Sequence, residues 1–304
     1  MMDIVIHDVD HGGCAVITGP QGHRLMLDCG YSIDRPWFPS IAYQSQAITT
    51  FMPTNLDEDH LQDFQELLRT TRIESLFSNP SIDARRLLSM KPQGMGLGTA
   101  MLHHVLERHG TSTIGNYMHQ LGGVSWHAFW NLYGEHFIDT NNLSLAVFVT
   151  FANFTILFGG DLEVAGWQAL LRLPGFRSRL AEVNVYVASH HGRENGQCED
   201  LFYYMRPSVV VFSDGPIIHE TQKTSDWFAQ KAAGIPDLTR APTSLGFPLR
   251  RVLTTRKDGT LRISVSNTGA YTILGDTTNS TLADMIPAPN FPSLSGSLKF
   301  TGRL

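Results

Sequence analysis

The sequence reads Asn55-Leu56-Asp57-Glu58-Asp59-His60 shortly after an apolar run at residues 48–52. This order predicts a buried strand, a tight acidic turn and the first turn of a helix. Such a turn brings Asp57, Asp59 and His60 into one small volume, as the binding of a divalent cation requires. The simpler interpretation is a solvated helix start, with Asp57 or Asp59 as the N-cap and an early glutamate favouring the helix dipole. Taken alone, the stretch leaves both interpretations open.

Composition restricts the class of protein. The chain has 304 residues, of which 42% are hydrophobic and 17% charged, so we expect a sizeable buried core. Its net charge of −5 argues against a protein that holds nucleic acid by bulk charge. Three cysteines without a Cys-x-x-Cys pair favour a reducing compartment over a disulfide framework or zinc finger. Because neither a signal peptide nor a membrane-spanning run is evident, we expect a soluble, cytoplasmic protein.

The order of apolar runs predicts a mixed architecture. Short runs separated by glycine-rich turns near the start indicate a meander of strands. Later runs predict further strands and a final hairpin, in which residues 251–255 and 260–265 flank Lys257-Asp258-Gly259. Residues 82–135 are mostly compatible with helix and resemble an insertion. We therefore expect one domain over residues 1–275 that contains this helical insertion. Residues 276–304 are rich in Pro, Ser, Asn and Thr, which predicts a loosely ordered tail.

Polar side chains recur where predicted strands end. Asp161 follows two glycines, the pair His190-His191 precedes Gly192, and Asp214 follows another apolar run. Residues at strand ends lie on a rigid scaffold and can converge above one edge of a sheet. A lone Asp or His at such a place is usually a turn former, but several together are hard to explain as turns only. We therefore expect a metal site at this edge.

The ordered set of motifs resembles the metallo-β-lactamase superfamily, and within it the branch of the hydrolase domain of the DNA-uptake protein ComEC. The opening meander at residues 8–30 is similar to that of the branch, and residues 55–60 stand where the superfamily has His-x-His-x-Asp-His. The resemblance covers residues 1–268 and implies an αββα sandwich of the α+β class, with the site at one edge of two sheets. The later matches are Asn141-Asn142-x-Ser144, Gly160-Asp161, Ser189-His190-His191-Gly192 and Thr254-Thr255-x-x-Asp258-Gly259.

The resemblance also implies the chemistry of the site. A bound cation would lower the pKa of water and produce a metal-bound hydroxide as the nucleophile. Asp59, His60 and Asp161 would be the catalytic residues, with Asp59 orienting the water or accepting its proton. Asp161 would also bridge to a second metal site that contains Asp57. The expected ligands are Asp57, Asp59, His60, Asp161 and one of His190 and His191.

The chain departs from the superfamily pattern at three positions. Asn55 and Asp57 replace the first two histidines, and Asn142 lies where many members have another histidine ligand. Asn is a poor metal ligand and Asp is harder than His, which favours Mn²⁺ or Mg²⁺ over two Zn²⁺ ions, or else a single metal. We place Asn55, Asn142 and His219 around the metal or the substrate, although a surface position is the favoured alternative for His219.

Together these implications predict a metal-dependent hydrolase, namely a phosphodiesterase or nuclease that stands alone without the membrane channel of ComEC. Its partner would be a phosphodiester, either nucleic acid or a nucleotide. Because the net charge is negative, a small phosphodiester such as a cyclic nucleotide competes with DNA or RNA. Hydrolysis of an amide, lactone or thioester stays open, since the fold does not determine the bond. A further alternative is a catalytically degraded subunit that binds a protein partner in a bacterial defence or competence assembly.

Overall fold

The computed structural model describes residues 1–110 and 121–276, together with the backbone of residues 280–284. None of the helices in these ranges is long and apolar enough to cross a membrane. Short 3₁₀ turns occur at Ser189–Gly192, Glu194–Gly196, Glu199–Tyr203 and Glu220–Gln222. The strands are β1 (Met2–Ile6), β2 (Ala15–Thr18), β3 (Arg24–Leu27), β4 (Ala47–Ile48), β5 (Thr50–Met52), β6 (Arg72–Ile73), β7 (Ser125–Phe129), β8 (Ala146–Phe151), β9 (Phe154–Phe158), β10 (Val185–Val187), β11 (Val209–Phe212), β12 (Ile235–Pro236), β13 (Leu249–Arg250), β14 (Val252–Thr254), β15 (Leu261–Val265), β16 (Tyr271–Gly275) and β17 (Ser280–Asp284). The α-helices are α1 (Pro39–Ala42), α2 (Glu58–Leu61), α3 (Phe64–Thr70), α4 (Ala84–Met90), α5 (Leu97–His109), α6 (Val164–Leu170), α7 (Phe176–Leu180), α8 (Ser225–Lys231) and α9 (Thr255–Asp258).

Two large sheets form the centre of the molecule. The first has seven strands in the order β17-β16-β15-β1-β2-β3-β5, antiparallel except for the parallel pair β3 and β5. The second has six strands in the order β14-β11-β10-β9-β8-β7. In this second sheet, β14, β11, β10 and β9 run parallel to one another. Strand β8 pairs antiparallel with β9, and β7 pairs antiparallel with β8. The small pairs β12-β13 and β4-β6 lie outside both sheets.

The apolar core lies in three layers. Alternate residues of a strand face opposite sides of its sheet. In β9, Ile156 belongs to the cluster between the two sheets, whereas Leu157 faces Trp167 and Phe176 under the helices that follow. On the outer side of the first sheet, helices α2 to α5 contribute to a third cluster, which includes Phe64. The order helix, sheet, sheet, helix confirms the predicted αββα sandwich.

The predicted helical insertion is only partly helical. Helices α4 and α5 lie in its first half, and residues 111–120 lie outside the described residues. The prediction is wrong for β7, which pairs antiparallel with β8 at the edge of the second sheet. Side chains of β7, including that of Trp126, pack against the core between the sheets. Tertiary pairing therefore determines the conformation of this segment, and local composition does not.

The predicted final hairpin is also wrong. Strand β14 pairs with β11 in the second sheet, whereas β15 pairs with β1 in the first, so the two lie in different layers. Between them the chain forms the short helix α9, in which the Asp258 carboxylate accepts the backbone N–H of Thr254. Of the segment predicted as a loose tail, residues 280–284 form β17 against β16. Residues 277–279 and 285–304 lie outside the described residues.

The topology brings several strand ends to one edge of the sandwich. Parallel strands have their carboxyl ends on the same side, which is where ligand sites usually lie in open sheets. The acidic motif follows β5, Asp161 follows β9, His191 follows β10 and Asp28 follows the parallel neighbour β3. The polar segments that are far apart in sequence therefore meet at one place.

Candidate metal centre

Four polar side chains converge at this edge. Asp59, His60, Asp161 and His191 each offer one ligand atom, and these atoms all lie within 4.8 Å of one another. His60 Nε2 lies 3.2 Å from Asp161 Oδ1, and His191 Nε2 lies 3.3 Å from Asp59 Oδ2. Three of the side chains are buried, whereas 24% of the Asp59 side chain is exposed. The cluster thus has one side that solvent can reach.

Close backbone contacts position the acidic motif. Asp57 is the N-cap of α2 with an extended backbone, so Asp59 and His60 lie in the first helical turn. The glycine turn after β1 packs directly on this helix, and a Cβ atom at Gly12 would lie 2.3 Å from the Asp59 carbonyl oxygen. Gly12 also has a φ of +132°, a conformation that L side chains rarely adopt. A larger residue at this turn would push α2 away from the sheet edge.

The histidine pair has an unusual backbone. His190 and His191 are consecutive non-glycine residues with φ values of +49° and +55°. Such conformations cost about 1 kcal/mol or more each and persist where the surroundings require them, often at functional sites. The His190 N–H donates to the Gly160 carbonyl oxygen at 2.9 Å, which bonds this turn to the turn before Asp161. The bend directs His191 into the cluster.

Hydrogen bonds determine which ring nitrogen of each cluster histidine faces inward. His60 Nδ1 lies 2.9 Å from Asp28 Oδ2, and His191 Nδ1 lies 2.8 Å from the Ser213 carbonyl oxygen. Both partners are acceptors, so each Nδ1 carries a proton and each Nε2 is left for a metal. Thr54 holds Asp28 in turn, donating its N–H and its hydroxyl at 2.6 Å each. The sequence gives no signal for Asp28 beyond its place in the opening meander at residues 8–30.

The inward atoms of the cluster lack hydrogen bonds. His60 Nε2, Asp161 Oδ1 and His191 Nε2 are buried and have no hydrogen-bond partner among the described residues. Leaving such an atom unpaired costs about 1–3 kcal/mol, so a group that satisfies all three is expected there. Two imidazole nitrogens and two carboxylates form a donor set typical of divalent transition metals. These residues therefore fit a metal ion.

The charges of the four groups depend on one another. Burial alone would lower the pKa of His60, but Asp161, Asp28 and Asp59 raise it well above its usual value. The pKa of His191 is likewise raised by Asp161 and Asp59 against the effect of burial. Burial would raise the pKa values of Asp59 and Asp161, yet the two imidazoles lower both. Protons on the histidines therefore balance the carboxylates of the metal-free cluster, and a bound metal would have to displace them.

Two further polar residues, His11 and Arg193, lie at the rim of the cluster. His11 Nε2 lies 3.5 Å from Asp59 Oδ2, and the His11 ring centroid lies 4.4 Å from that of His191. Burial and His191 lower the pKa of His11 to about 4, although Asp59 opposes them, so His11 is neutral at pH 7. Its Nε2 can then accept a hydrogen bond from Arg193 Nη2 at 3.3 Å. Sequence reasoning missed both rim residues, and the turn His11-Gly12-Gly13 after a strand was the available signal for His11.

The structure does not bring the other predicted metal ligands into the cluster. Asp57 pairs instead with Lys91 and with Thr140 Oγ1, which lies 2.9 Å from each carboxylate oxygen. His190 Nδ1 lies 3.8 Å from Glu163 Oε1 and outside the four-residue cluster, so His191 is the histidine of the pair that faces the other cluster residues.

The residues predicted to surround the metal make other contacts. Asn55 donates to Ser144 Oγ at 3.2 Å, and Asn142 Oδ1 accepts the Gly166 N–H at 2.9 Å. His219 is exposed at the start of a 3₁₀ turn, as its surface alternative predicted. Asp214, another strand-end acid, forms an ion pair with Arg256.

Comparisons with known proteins concern the fold. No family model and no curated protein matches the sequence. Similar solved structures include CmlA, a diiron β-hydroxylase from Streptomyces venezuelae, at 12% identity and a TM-score of 0.44 over 75% of this chain and 50% of that one. The metallo-β-lactamase fold protein YhfI from Bacillus subtilis has 7% identity and a TM-score of 0.44, over 84% of this chain and 97% of that one. A diphosphatase of the PhnP family has 10% identity and a TM-score of 0.44, over 88% and 98%.

These similarities are distant. The chain spans half the length of the β-hydroxylase, and the TM-scores of all three structures lie below 0.5. None of the three bears on what this chain does. The resemblance to the ComEC branch stays a prediction, and the chemistry depends on the residues of this chain.

Proposed function

We propose that this chain is a metal-dependent hydrolase that cleaves a phosphodiester. The observation that carries the proposal is the cluster of Asp59, His60, Asp161 and His191, whose ligand atoms lie within 4.8 Å of one another. A divalent cation held there would lower the pKa of a water molecule towards neutrality and stabilise the negative charge that develops during hydrolysis. Two imidazole nitrogens in the set suit Zn²⁺ or Mn²⁺ better than Mg²⁺.

The residues of the cluster have different tasks. His60 and His191 present neutral Nε2 atoms once a metal has displaced their protons, because their Nδ1 protons are held by acceptors. Asp161 is buried and supplies a fixed carboxylate. Asp59 is the ligand that solvent can reach, with 24% of its side chain exposed. It is therefore the carboxylate that can orient a water molecule or accept its proton.

The rim supports an anionic substrate. Arg193 lies beside His11, and His11 lies beside Asp59, so the guanidinium is two contacts away from a metal ligand. A guanidinium presents five donors in a planar fork that matches the oxygens of a phosphate. The Arg193 side chain is only partly buried, so its guanidinium can contact a phosphate that approaches from solvent.

A small phosphodiester, such as a cyclic nucleotide, is the second candidate substrate beside DNA or RNA. The chain carries a net charge of −5, which opposes the binding of a long polyanion by bulk charge. A compact site with one guanidinium at its rim needs few positive charges to select a single phosphodiester. Competition between cyclic nucleotides and single-stranded DNA for the same activity distinguishes the two.

The test combines metal content with cleavage of bis-p-nitrophenyl phosphate. Elemental analysis should find metal in the purified protein, and added Mn²⁺ should support cleavage. Asp161→Asn should abolish both, whereas Asp57→Asn, which changes a neighbouring acid outside the cluster, should retain both. If folded protein binds no metal and cleaves nothing, the proposal is wrong. Metal binding with cleavage of lactones or thioesters alone would retain the metal centre and reject the phosphodiester.

A further inference from the structure

Asp57 is an acid of the motif whose carboxylate is already bonded inside the protein. Lys91 forms an ion pair with its Oδ1, and Thr140 Oγ1 lies 2.9 Å from both of its oxygens. Only 17% of the Lys91 side chain and 29% of the Asp57 side chain are exposed. An ammonium group in this sheltered place supplies the positive charge that balances Asp57, so the carboxylate needs no metal.

The fold positions both partners of this ion pair. Lys91 is the C-cap of helix α4, and its N–H donates to the Leu88 carbonyl oxygen at 3.1 Å. The next residue of the motif, Glu58, accepts the N–H groups of Gly98 and Thr99 at 2.9 and 3.0 Å, which attaches the motif to the first turn of α5. The motif is thus bonded to both described helices of the predicted insertion. The ion pair belongs to this docked arrangement and is not a chance surface contact.

The two asparagines that stand where the superfamily has histidines, Asn55 and Asn142, already make hydrogen bonds within the protein. Asn55 Oδ1 accepts the Asp57 N–H at 2.7 Å, and its Nδ2 donates to Ser144 Oγ. Asn142 Oδ1 accepts the Gly166 N–H at 2.9 Å, and its Nδ2 donates to Asp139. The amide oxygen is the atom that an asparagine would offer to a cation. In both residues this oxygen already has a backbone partner.

We infer that the centre binds one metal ion per chain and that the Lys91–Asp57 ion pair occupies the place of a second. One dication is balanced by the two carboxylates of the cluster, those of Asp59 and Asp161. The carboxylate of Asp28 is taken by Thr54 and His60. A second dication close to the first needs further anionic ligands to offset the repulsion between the two ions. Asp57 could supply one only by giving up Lys91.

Metal counting tests this inference without an activity assay. The apo protein is dialysed against Mn²⁺, and bound metal is measured by elemental analysis together with electron paramagnetic resonance. One equivalent per chain is expected, with the spectrum of an isolated Mn²⁺ ion and not that of a spin-coupled pair. Asp57→Asn should still bind one equivalent, with an affinity within about threefold of wild type. Thr140→Val, which removes a second partner of the same carboxylate, should behave in the same way.

Lys91→Met tests the part assigned to the ammonium. At millimolar Mn²⁺ this variant should bind a second, weaker equivalent that wild type does not bind, and Asp57→Asn/Lys91→Met should return to one. Circular dichroism confirms that each variant is folded. Two equivalents in wild type, or a lost equivalent in Asp57→Asn, would overturn the single-metal centre. One equivalent in Lys91→Met at all concentrations would overturn the role of Lys91.

The inference rests on the proposed metal centre, but the two can fail separately. No bound metal in folded wild type would reject the proposed function along with the inference. Two bound ions would reject the inference alone and leave the metal-dependent hydrolase intact. The identity of the substrate affects neither result.

Discussion

Asp28 Oδ2 lies 2.9 Å from Nδ1 of His60, on the side of the imidazole that faces away from the other cluster residues. The two residues are 32 positions apart and belong to the segments that follow the parallel strands β3 and β5. The contact determines the tautomer of His60, and through it the direction of the nitrogen lone pair that a metal would use. Asp28 is therefore a positioning residue.

Replacing Asp28 by asparagine should weaken metal binding without removing a ligand. The amide keeps the shape of the side chain but loses the charge that favours the Nδ1–H tautomer, and it disturbs the bonds from Thr54. We expect the dissociation constant for Zn²⁺ or Mn²⁺ to rise about 10- to 100-fold. Asp63→Asn is the matched control, since Asp63 is a buried carboxylate that accepts from Ser40 and lies outside the cluster. Equal effects of the two variants would contradict the role of Asp28.

Replacing Arg193 should affect the substrate more than the metal. Arg193→Ala removes the guanidinium beside His11, and kcat/KM for bis-p-nitrophenyl phosphate should fall about 10- to 100-fold, chiefly through KM, as expected for lost charge-assisted hydrogen bonds. Arg193→Lys should recover only part of the loss because it lacks the planar fork. Metal content should stay at the wild-type value. Arg251→Ala, at an exposed arginine, is the control. A loss of metal in Arg193→Ala would contradict this prediction.

The strand-end motifs could be recognised from sequence because their signals are local. A short apolar run followed by glycines and an acid or histidine identifies the end of a buried strand whatever the strand pairs with, and this predicts Asp161 and the pair His190-His191 at one edge without choosing between the two histidines. Pairing itself is not local. The assignment of β14 and β15 to different sheets and the strand character of β7 depend on distant partners, and both predictions failed there.

The same distinction explains the errors within the site. Asp57 has the spacing of a ligand, but its carboxylate pairs with Lys91, which is 34 residues further along the chain. Asp28, His11 and Arg193 act through contacts between segments that only the folded chain brings together. A pattern read along the chain contains the identities of these residues but not their distances from one another.

Stability should depend on pH through His7, which is not one of the four cluster residues. His7 is stacked on Trp37 and lies 2.8 Å from the Tyr43 hydroxyl, and burial, helped by Arg262, lowers its pKa from 6.5 to about 3. The unfolded chain therefore binds a proton at this residue that the folded chain does not. The free energy of unfolding should fall as the pH falls from 6.5 towards 3, by at most about 4 kcal/mol from this group.

Chemical denaturation of wild type and His7→Gln at a series of pH values checks this expectation. Glutamine can still bond to Tyr43 but does not titrate, so the difference in stability between wild type and variant should shrink as the solution becomes more acidic. His219→Gln, at an exposed histidine, should run parallel to wild type. Parallel curves for His7→Gln as well would show that His7 keeps an ordinary pKa in the folded chain.

Metal binding should release protons at neutral pH. In the metal-free protein the carboxylates raise the pKa values of His60 and His191 above the usual value despite burial, so both rings retain protons to higher pH than free imidazoles and a metal must displace them. Metal affinity should therefore increase with pH until those pKa values are passed. The two protonated rings also stabilise the apo protein, and this contribution has the opposite trend. It is complete below pH 6.5 and is lost as the pH rises through the raised pKa values. Calorimetric titration with Zn²⁺ in buffers of different ionisation enthalpy measures the release, which should be clearly above zero at neutral pH and should shrink as the pH rises through the raised pKa values. His190→Gln, next to the cluster but not in it, should release the same number. Titrations without proton release would show that the two imidazoles are already neutral in the apo protein and that its carboxylates are balanced in some other way.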